Sequence, residues 1–277
     1  SKKKQKNGEY RDIEVPLTQL MRIHKRLQKF FSRIEKPEYL YSGVKYKSNV
    51  RNALCHKDNN FVYKVDIKSF YTSTDNNRLK KCFLNNFNTT EDIAQTLADL
   101  CSVNGHLPTG SPLSQSLSFF CNVNLFNEIN RYCRARQVKV TIYVDDLTFS
   151  SNSPFKKDFF KGINRLFSKG STYQLHKHRC YGENTAKPVT GVILKNNNSL
   201  VPNKQRWKIK TEIDKQGYML SIHSSKPEKV EKYFQSIIGR LYSAGQISPK
   251  YKLKAQQIAS VRRDNEISAV NKKKKKT

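Results

Sequence analysis

Three aspartates carry the chemistry that this sequence offers. Asp145 and Asp146 are adjacent in Tyr143-Val144-Asp145-Asp146, and Asp66 closes the apolar run Phe61-Val62-Tyr63-Lys64-Val65-Asp66-Ile67. The stretch from Val140 to Phe149 reads as two short strands meeting at the Asp-Asp turn. Strand alternation puts Val140, Ile142 and Val144 on one face and Thr141, Tyr143 and Asp145 on the other. Aspartate suits tight turns, so the pair alone says little. Here, though, both flanks are apolar enough to be core strands. Carboxylates side by side at the end of buried strands repel each other unless a cation lies between them, so a metal site is the first expectation. Asp66, also at a strand end, is the natural third ligand if the strands are neighbours. In its bland reading it caps a helix, with Ser69 and Thr72 as local partners. Three carboxylates from two strand ends suit two-magnesium nucleotidyl transfer, in which one ion activates a sugar hydroxyl and the other holds a triphosphate.

The elements that must position these groups follow from periodicity. Tyr10 to Val15 reads as a short strand ending at Pro16, followed by an amphipathic helix with Leu17, Leu20, Met21, His24, Leu27, Phe30 and Phe31 inward. Helical character covers most of the chain from Asp66 to Cys101, and again Leu117 to Tyr132, with a Gly- and Pro-marked loop from Gly105 to Gly110. Ser153-Pro154 opens a helix carrying Phe155, Phe159, Phe160, Ile163, Leu166 and Phe167. Strand-like pieces recur at Tyr173–Leu175 and Val189–Leu194, and Glu228 to Gly245 is a helix. The final basic segment, ending in Lys272 to Lys276, is expected to be disordered.

Composition limits the partners. The chain has 277 residues, with 52 Lys plus Arg against 22 Asp plus Glu, a net charge of +30. That excess predicts a polyanionic partner, nucleic acid before an anionic membrane. No run of ~18 apolar residues and no signal-peptide pattern occurs, so a cytoplasmic protein without a membrane role is expected. The absence of an initiating Met suggests a processed chain or a start further upstream. Six cysteines without a CxxC pair argue for packing thiols rather than a zinc knuckle.

Three segments occur in order: Asp66-Ile67-Lys68-Ser69-Phe70-Tyr71, then Leu107-Pro108-Thr109-Gly110-Ser111-Pro112-Leu113-Ser114-Gln115, then Tyr143-Val144-Asp145-Asp146. This ordered set resembles the reverse transcriptase palm: its first carboxylate motif, its primer-and-template loop and its Tyr-x-Asp-Asp hairpin. The resemblance extends over about residues 10–245. Asn52-Ala53-Leu54-Cys55-His56 and Val189-Thr190-Gly191 resemble two elements of bacterial retron reverse transcriptases. The resemblance implies an α+β right-hand polymerase with an antiparallel palm sheet and a helical thumb. Its fingers portion would be 1–62, its palm 63–204 with inserted fingers helices at about 75–105, and its thumb and basic tail 205–277.

It also implies roles. Asp66, Asp145 and Asp146 would be catalytic metal ligands, with the Ile67 carbonyl an additional oxygen, for two Mg²⁺ or substituting Mn²⁺ ions. Arg11, Tyr71, Thr109 and Gly110 would bind the incoming deoxynucleoside triphosphate, Tyr71 excluding a 2′-hydroxyl. Asn52, His56 and Thr190, with Lys204, Arg206, Trp207, Lys208 and Lys210, would bind RNA; Tyr233 offers a further stacking ring. Partners would be a cognate structured noncoding RNA (msr-msd), its branched single-stranded DNA product, and a separate effector protein in antiphage defence. Two departures stand out. Thr109 replaces the family's Gln, and Leu175-His176-Lys177-His178-Arg179 lacks its Asn-x-x-Lys, leaving Lys177 or His178 as substitute proton donors. Alternatives are a diversity-generating or abortive-infection reverse transcriptase, an idle RNA-binding palm, or a nonspecific basic binder.

Overall fold

The computed structural model describes residues 2–4, 10–170, 173–222 and 225–274, and side chains for 13–169, 173–222 and 225–264. The chain divides into two units, Ser1–Thr185 and Ala186–Thr277. The first holds β1 (Lys2–Lys4), β2 (Tyr10–Asp12), α1 (Thr18–Phe31), α2 (Asn49–Leu54), β3 (Phe61–Ile67), α3 (Asn76–Asn86), α4 (Glu91–Cys101), α5 (Ser114–Phe120), α6 (Val123–Arg134), β4 (Lys139–Tyr143), β5 (Asp146–Ser151), α7 (Lys157–Gly170) and β6 (Leu175–Tyr181). The second holds β7 (Lys187–Val189), β8 (Val192–Lys195), β9 (Asn198–Leu200), α8 (Asn203–Asp214), α9 (Gln216–Ser221), α10 (Pro227–Gly245) and α11 (Pro249–Lys274).

The central sheet has the order β4-β5-β3-β6 and is antiparallel throughout. Its register sorts the side chains into two faces of different chemistry. Val140, Ile142, Leu147, Phe149, Tyr63 and Val65 share one face, all buried, and join a core with Phe126, Ile129 and Cys133 of α6 and Phe159, Ile163 and Phe167 of α7. Tyr63 stacks on Phe149 at 5.4 Å between ring centroids and meets Phe160 edge-on at 4.9 Å. α7 approaches α6 closely because Gly162 lacks a side chain; a Cβ there would lie 2.0 Å from the Tyr132 hydroxyl. Elsewhere, buried His24 ties α1 to α4 and the 105–113 loop. Its Nε2–H donates to the Leu100 carbonyl, so Nδ1 accepts from the Ser111 hydroxyl.

The opposite face carries Thr141, Thr148, Ser150, Val62, Lys64, Asp66 and Asp146. Its polar groups are covered at one end by the α2 segment. His56, fully buried, bridges Ser150 Oγ at 2.6 Å and Thr141 Oγ1 at 2.7 Å. Asn52 is 1 % exposed. The expectation of RNA contact through Asn52 and His56 therefore fails: both side chains lie inside the protein, and His56 is consumed in tying α2 to β4 and β5.

In the second unit, β7, β8 and β9 form an antiparallel meander. Thr190 and Gly191 both have positive φ, at 38° and 86°, as do Asn196 and Asn197, at 49° and 55°. Paired positive φ values are what two-residue type I′ hairpin turns require, which suits Gly191, Asn196 and Asn197, whereas Thr190, β-branched, is held there against its preference. The helical core comprises Val230, Phe234, Ile237 and Leu241 of α10, with Ala255 and Ile258 of α11. Two sequence expectations change. The helix expected over Leu117–Tyr132 is broken at Cys121–Asn122 into α5 and α6, and the segment expected to be disordered is helical to Lys274. The strand expected over Tyr10–Val15 is confined to Tyr10–Asp12, and the Arg11 side chain lies outside the described residues.

Burial, reinforced by the charge of Lys139, pushes the His56 imidazole down to about 3. The unfolded chain takes up this proton near pH 6.5, so stability is complete above that value and is lost as pH falls towards 3. His56→Gln is expected to flatten the stability slope over that window relative to wild type. His56→Ala should cost about 2–4 kcal/mol by leaving Ser150 and Thr141 buried without their partner. Denaturant melts across pH check both.

Candidate active site

Asp66 and Asp146 are direct cross-strand partners at the open end of β3 and β5. Because side chains alternate along a strand, this register places both carboxylates on the sheet's polar face, away from the α6–α7 core. The Ile67 amide donates to the Asp145 carbonyl at 2.8 Å, which carries the pairing into the turn. Asp145 itself is exposed at the tip. Val144 occupies the first central position of the two-residue turn with φ of 60°. Type II′ turns want glycine there; a β-branched residue in that conformation is strained by roughly 1–3 kcal/mol. Its amide is held by the buried Ser42 hydroxyl at 3.0 Å, so the surrounding structure enforces the strain.

Two lysines answer the carboxylates. Lys64 Nζ lies 3.6 Å from Asp146 Oδ1, and Lys177 Nζ lies 2.8 Å from Asp66 Oδ2. Lys177 reaches the site through a β-bulge. Between the pairs Lys64↔Arg179 and Asp66↔His176, β6 carries one residue more than β3, and Lys177 has φ of 54°. A bulge re-aims a side chain, and this one brings an ammonium onto Asp66. His176 Nδ1 donates to the Asp66 carbonyl at 3.1 Å. His178 instead meets the Tyr63 hydroxyl at 2.7 Å and stacks on its ring. Of the two candidate proton donors, only Lys177 lines the cleft.

Burial, together with the hydrogen bond to Asp66, pushes the Asp146 carboxyl up to about 7. Burial acts in the same upward sense on Asp66, but its bonds to Asp146 and Lys177 outweigh it and hold Asp66 below the usual carboxylate range. The bond to Asp66 raises Lys177. The cross-strand carboxylates thus compete for cations and protons. As hard oxygen donors they fit a divalent ion in type. Their side chains are not gathered around one point, however. Among the described residues, no group of three or more His, Cys, Asp or Glu side chains forms a metal-binding cluster.

The cleft has a volume of about 820 Å³ and is lined by Ile67, Tyr71, Tyr143, Asp145, Asp146 and Lys177 on the carboxylate side. Its other side is formed by Glu14, His106 and Thr109, a wall that sequence reasoning only partly foresaw. His106 Nε2 lies 3.1 Å from both oxygens of Glu14. The Glu14 amide donates to Thr109 Oγ1 at 3.3 Å, and the Gly110 amide donates to the Glu14 carbonyl at 3.0 Å. Thr109 thus uses its hydroxyl to fasten the loop to the N-terminal segment, a task suited to its short side chain. Glycine is required next to it: a Cβ on Gly110 would lie 2.7 Å from the Glu14 carbonyl oxygen.

Within the second unit, Lys204, Arg206, Trp207, Lys208 and Lys210 lie exposed on α8, and Thr190 is half-buried in its turn. Tyr233 is buried and donates its hydroxyl to the Glu212 carbonyl, so the expected stacking role is closed to it.

No family model matches the chain. Over 94 % of its length it superposes on 38 % of a foamy viral protease–reverse transcriptase solved with double-stranded DNA, with a TM-score of 0.53 and 14 % identity. The fold is that of a reverse transcriptase. A truncated apo telomerase from Candida tropicalis aligns over 70 % of this chain and 53 % of its own, with a TM-score of 0.48 and 12 % identity. In sequence the chain is similar to the retron Ec86 reverse transcriptase of Escherichia coli, 24 % identical over 172 residues, covering 61 % of this chain. The chain spans about half (53 %) of that relative's length.

Two outcomes follow from the geometry. Gly110→Ala is expected to push the Glu14 segment off the loop, lowering activity on the order of ten-fold or more while costing about 1–3 kcal/mol. Asp146→Asn should stabilise the metal-free chain above pH 7, by about 1 kcal/mol after solvent screening, and so raise its melting temperature, because a like-charge pair is relieved. Scanning calorimetry in chelator measures the second; a lower melting temperature would contradict it.

Proposed function

We propose that this chain is the polymerising part of a retron-type reverse transcriptase, extending DNA on an RNA template. The observation that carries the reading is the cross-strand pair Asp66–Asp146, of which Asp146 lines an 820 Å³ cleft together with Asp145, in a chain similar to a retron enzyme. Asp66, Asp145 and Asp146, with the Ile67 carbonyl, would hold two Mg²⁺ ions. When bound, such ions supply charge stabilisation for the attacking and leaving oxygens of an in-line displacement.

The chain's own residues do the rest. Thr109 and Tyr71 line the cleft, where Tyr71 packs under the sugar of the incoming deoxynucleoside triphosphate, while Gly110 acts indirectly, by letting the Glu14 segment seat against the loop. Arg11 would cover triphosphate charge. Lys177 sits within reach of the same space and offers an ammonium proton to the departing pyrophosphate. Substrate would be the cognate noncoding RNA, extended from an internal 2′-hydroxyl into branched RNA-linked DNA, and the assembly would serve antiphage defence with a separate effector. The net charge of +30 supports a nucleic-acid partner.

Asp145→Asn is the direct test. Nucleotide incorporation should fall at least on the order of a hundred-fold while RNA affinity is unchanged or slightly higher. Mg²⁺ should raise the melting temperature of wild type, and raise that of the variant less. Undiminished incorporation by the variant would sink the mechanism.

A further inference from the structure

The second unit holds a cavity of about 460 Å³ between α8 and α11, lined in part by the basic residues expected to meet RNA but with a shape and chemistry of its own. Ile209 and Ile213 give it an apolar lining, Trp207 and Tyr251 contribute aromatic rings, and Arg206 and Lys210 add two cations. Trp207 is 67 % exposed, an unusual state for so large an apolar side chain. Lys250 Nζ lies 5.4 Å from the centroid of the Tyr251 ring, which brings a third cation to the site. No acidic residue is among those lining it. The volume falls in the range of sites that take small flat ligands.

Aromatic rings among cations, without acids, match one chemistry well. Bases stack on aromatic side chains, and the phosphates that accompany every base are drawn to Arg and Lys. A neutral apolar peptide would satisfy the rings but leave three cations uncompensated.

The far flank of α8 adds a second observation. Lys204 and Lys208, one helical turn apart, join Arg240, Ser236 and Ser243 of α10 along a separate groove of about 590 Å³. Cations and hydroxyls in a row suit a phosphate backbone. A helix is only ~10 Å across, so a strand tracking that groove can turn a base over α8 into the aromatic pocket.

We propose that the Trp207–Tyr251 pocket holds one unpaired base of the bound RNA, stacked on the aromatic rings, with Arg206 and Lys210 on its flanking phosphates. This deepens the polymerase reading and rests on it only in taking RNA as the polyanion.

Trp207 is the chain's single tryptophan, so intrinsic emission reports on this pocket in the full, unaltered chain. A short oligoadenylate RNA and an abasic oligonucleotide of the same length are titrated to matched saturation, followed independently by anisotropy of an end label. Oligoadenylate should quench Trp207 and the abasic strand should not. Tyr251→Ala should weaken oligoadenylate on the order of ten-fold without changing affinity for the abasic strand, and Tyr251→Phe should restore it. Equal quenching by both strands, or none by either, overturns the proposal and points to a protein segment as occupant. If Tyr251→Ala unfolds, the wild-type comparison still decides. Primer extension on a short primed homopolymer, run in parallel, separates the two readings. Absent extension with base-dependent quenching would sink the polymerase assignment and leave the pocket standing.

Discussion

The Asp66–Asp146 pairing is the constraint around which the first unit is arranged. Two carboxylates directly opposite each other on neighbouring strands destabilise a sheet, and here they occupy its half-buried end. The fold tolerates them because everything beneath is apolar and close-packed: Val65, Leu147, Phe149 and Ile142 are each at most 1 % exposed. Slipping either strand by one residue would relieve the repulsion but would turn Leu147 and Phe149 out of the core. Hydrophobic register thus holds an electrostatic misfit in place, and the misfit is what gives the site its appetite for cations.

The sheet's two faces divide the labour. One is pure packing, against α6 and α7. The other is polar apart from Val62, with Thr141, Thr148 and Ser150 at the covered end and Lys64, Asp66 and Asp146 at the open end. His56 makes the covered end possible, since hydroxyls without partners would be costly there. A motif that looks functional by sequence therefore works by supporting the site from inside the protein. His56 ties together β4 and β5, the strands whose other ends meet at the aspartate turn.

Much of this was legible in the sequence because it depends on local pattern. β3 spans Phe61–Ile67, the run read as a strand, and the hairpin forms where it was expected, although its turn residues are Val144 and Asp145, with Asp146 already paired to Tyr143 in β5. Asp66 as the partner of the hairpin followed from two strand ends sharing one chemistry. What escaped was set by tertiary geometry. The bulge that swings Lys177 onto Asp66 leaves no signal in a polar stretch such as His176-Lys177-His178, where apolar alternation cannot report register. Glu14 and His106 come from segments 92 residues apart in sequence, brought together by the contacts that Thr109 and Gly110 make to the Glu14 backbone. The helical character of 203–214 agrees with the helical thumb expected there, but that its two flanks line different grooves is a matter of packing.

Charge gives the cleft its final character. In a chain at +30, the carboxylates of Asp66, Asp145, Asp146 and Glu14 form a local acidic spot that would repel a phosphate chain. Lys64 and Lys177 neutralise the cross-strand pair, but unequally. Lys64 is held within the sheet at 3.6 Å, whereas Lys177, at 2.8 Å, is 61 % exposed on a flexible stem. A partly solvated ion pair of that kind holds by about 1 kcal/mol or less, far below the attraction of a doubly charged ion for the same oxygens. Lys177 is therefore a replaceable counterion. It offsets the charge of the acidic pair in the sheet, and its solvent exposure leaves it the weaker-held of the two lysines.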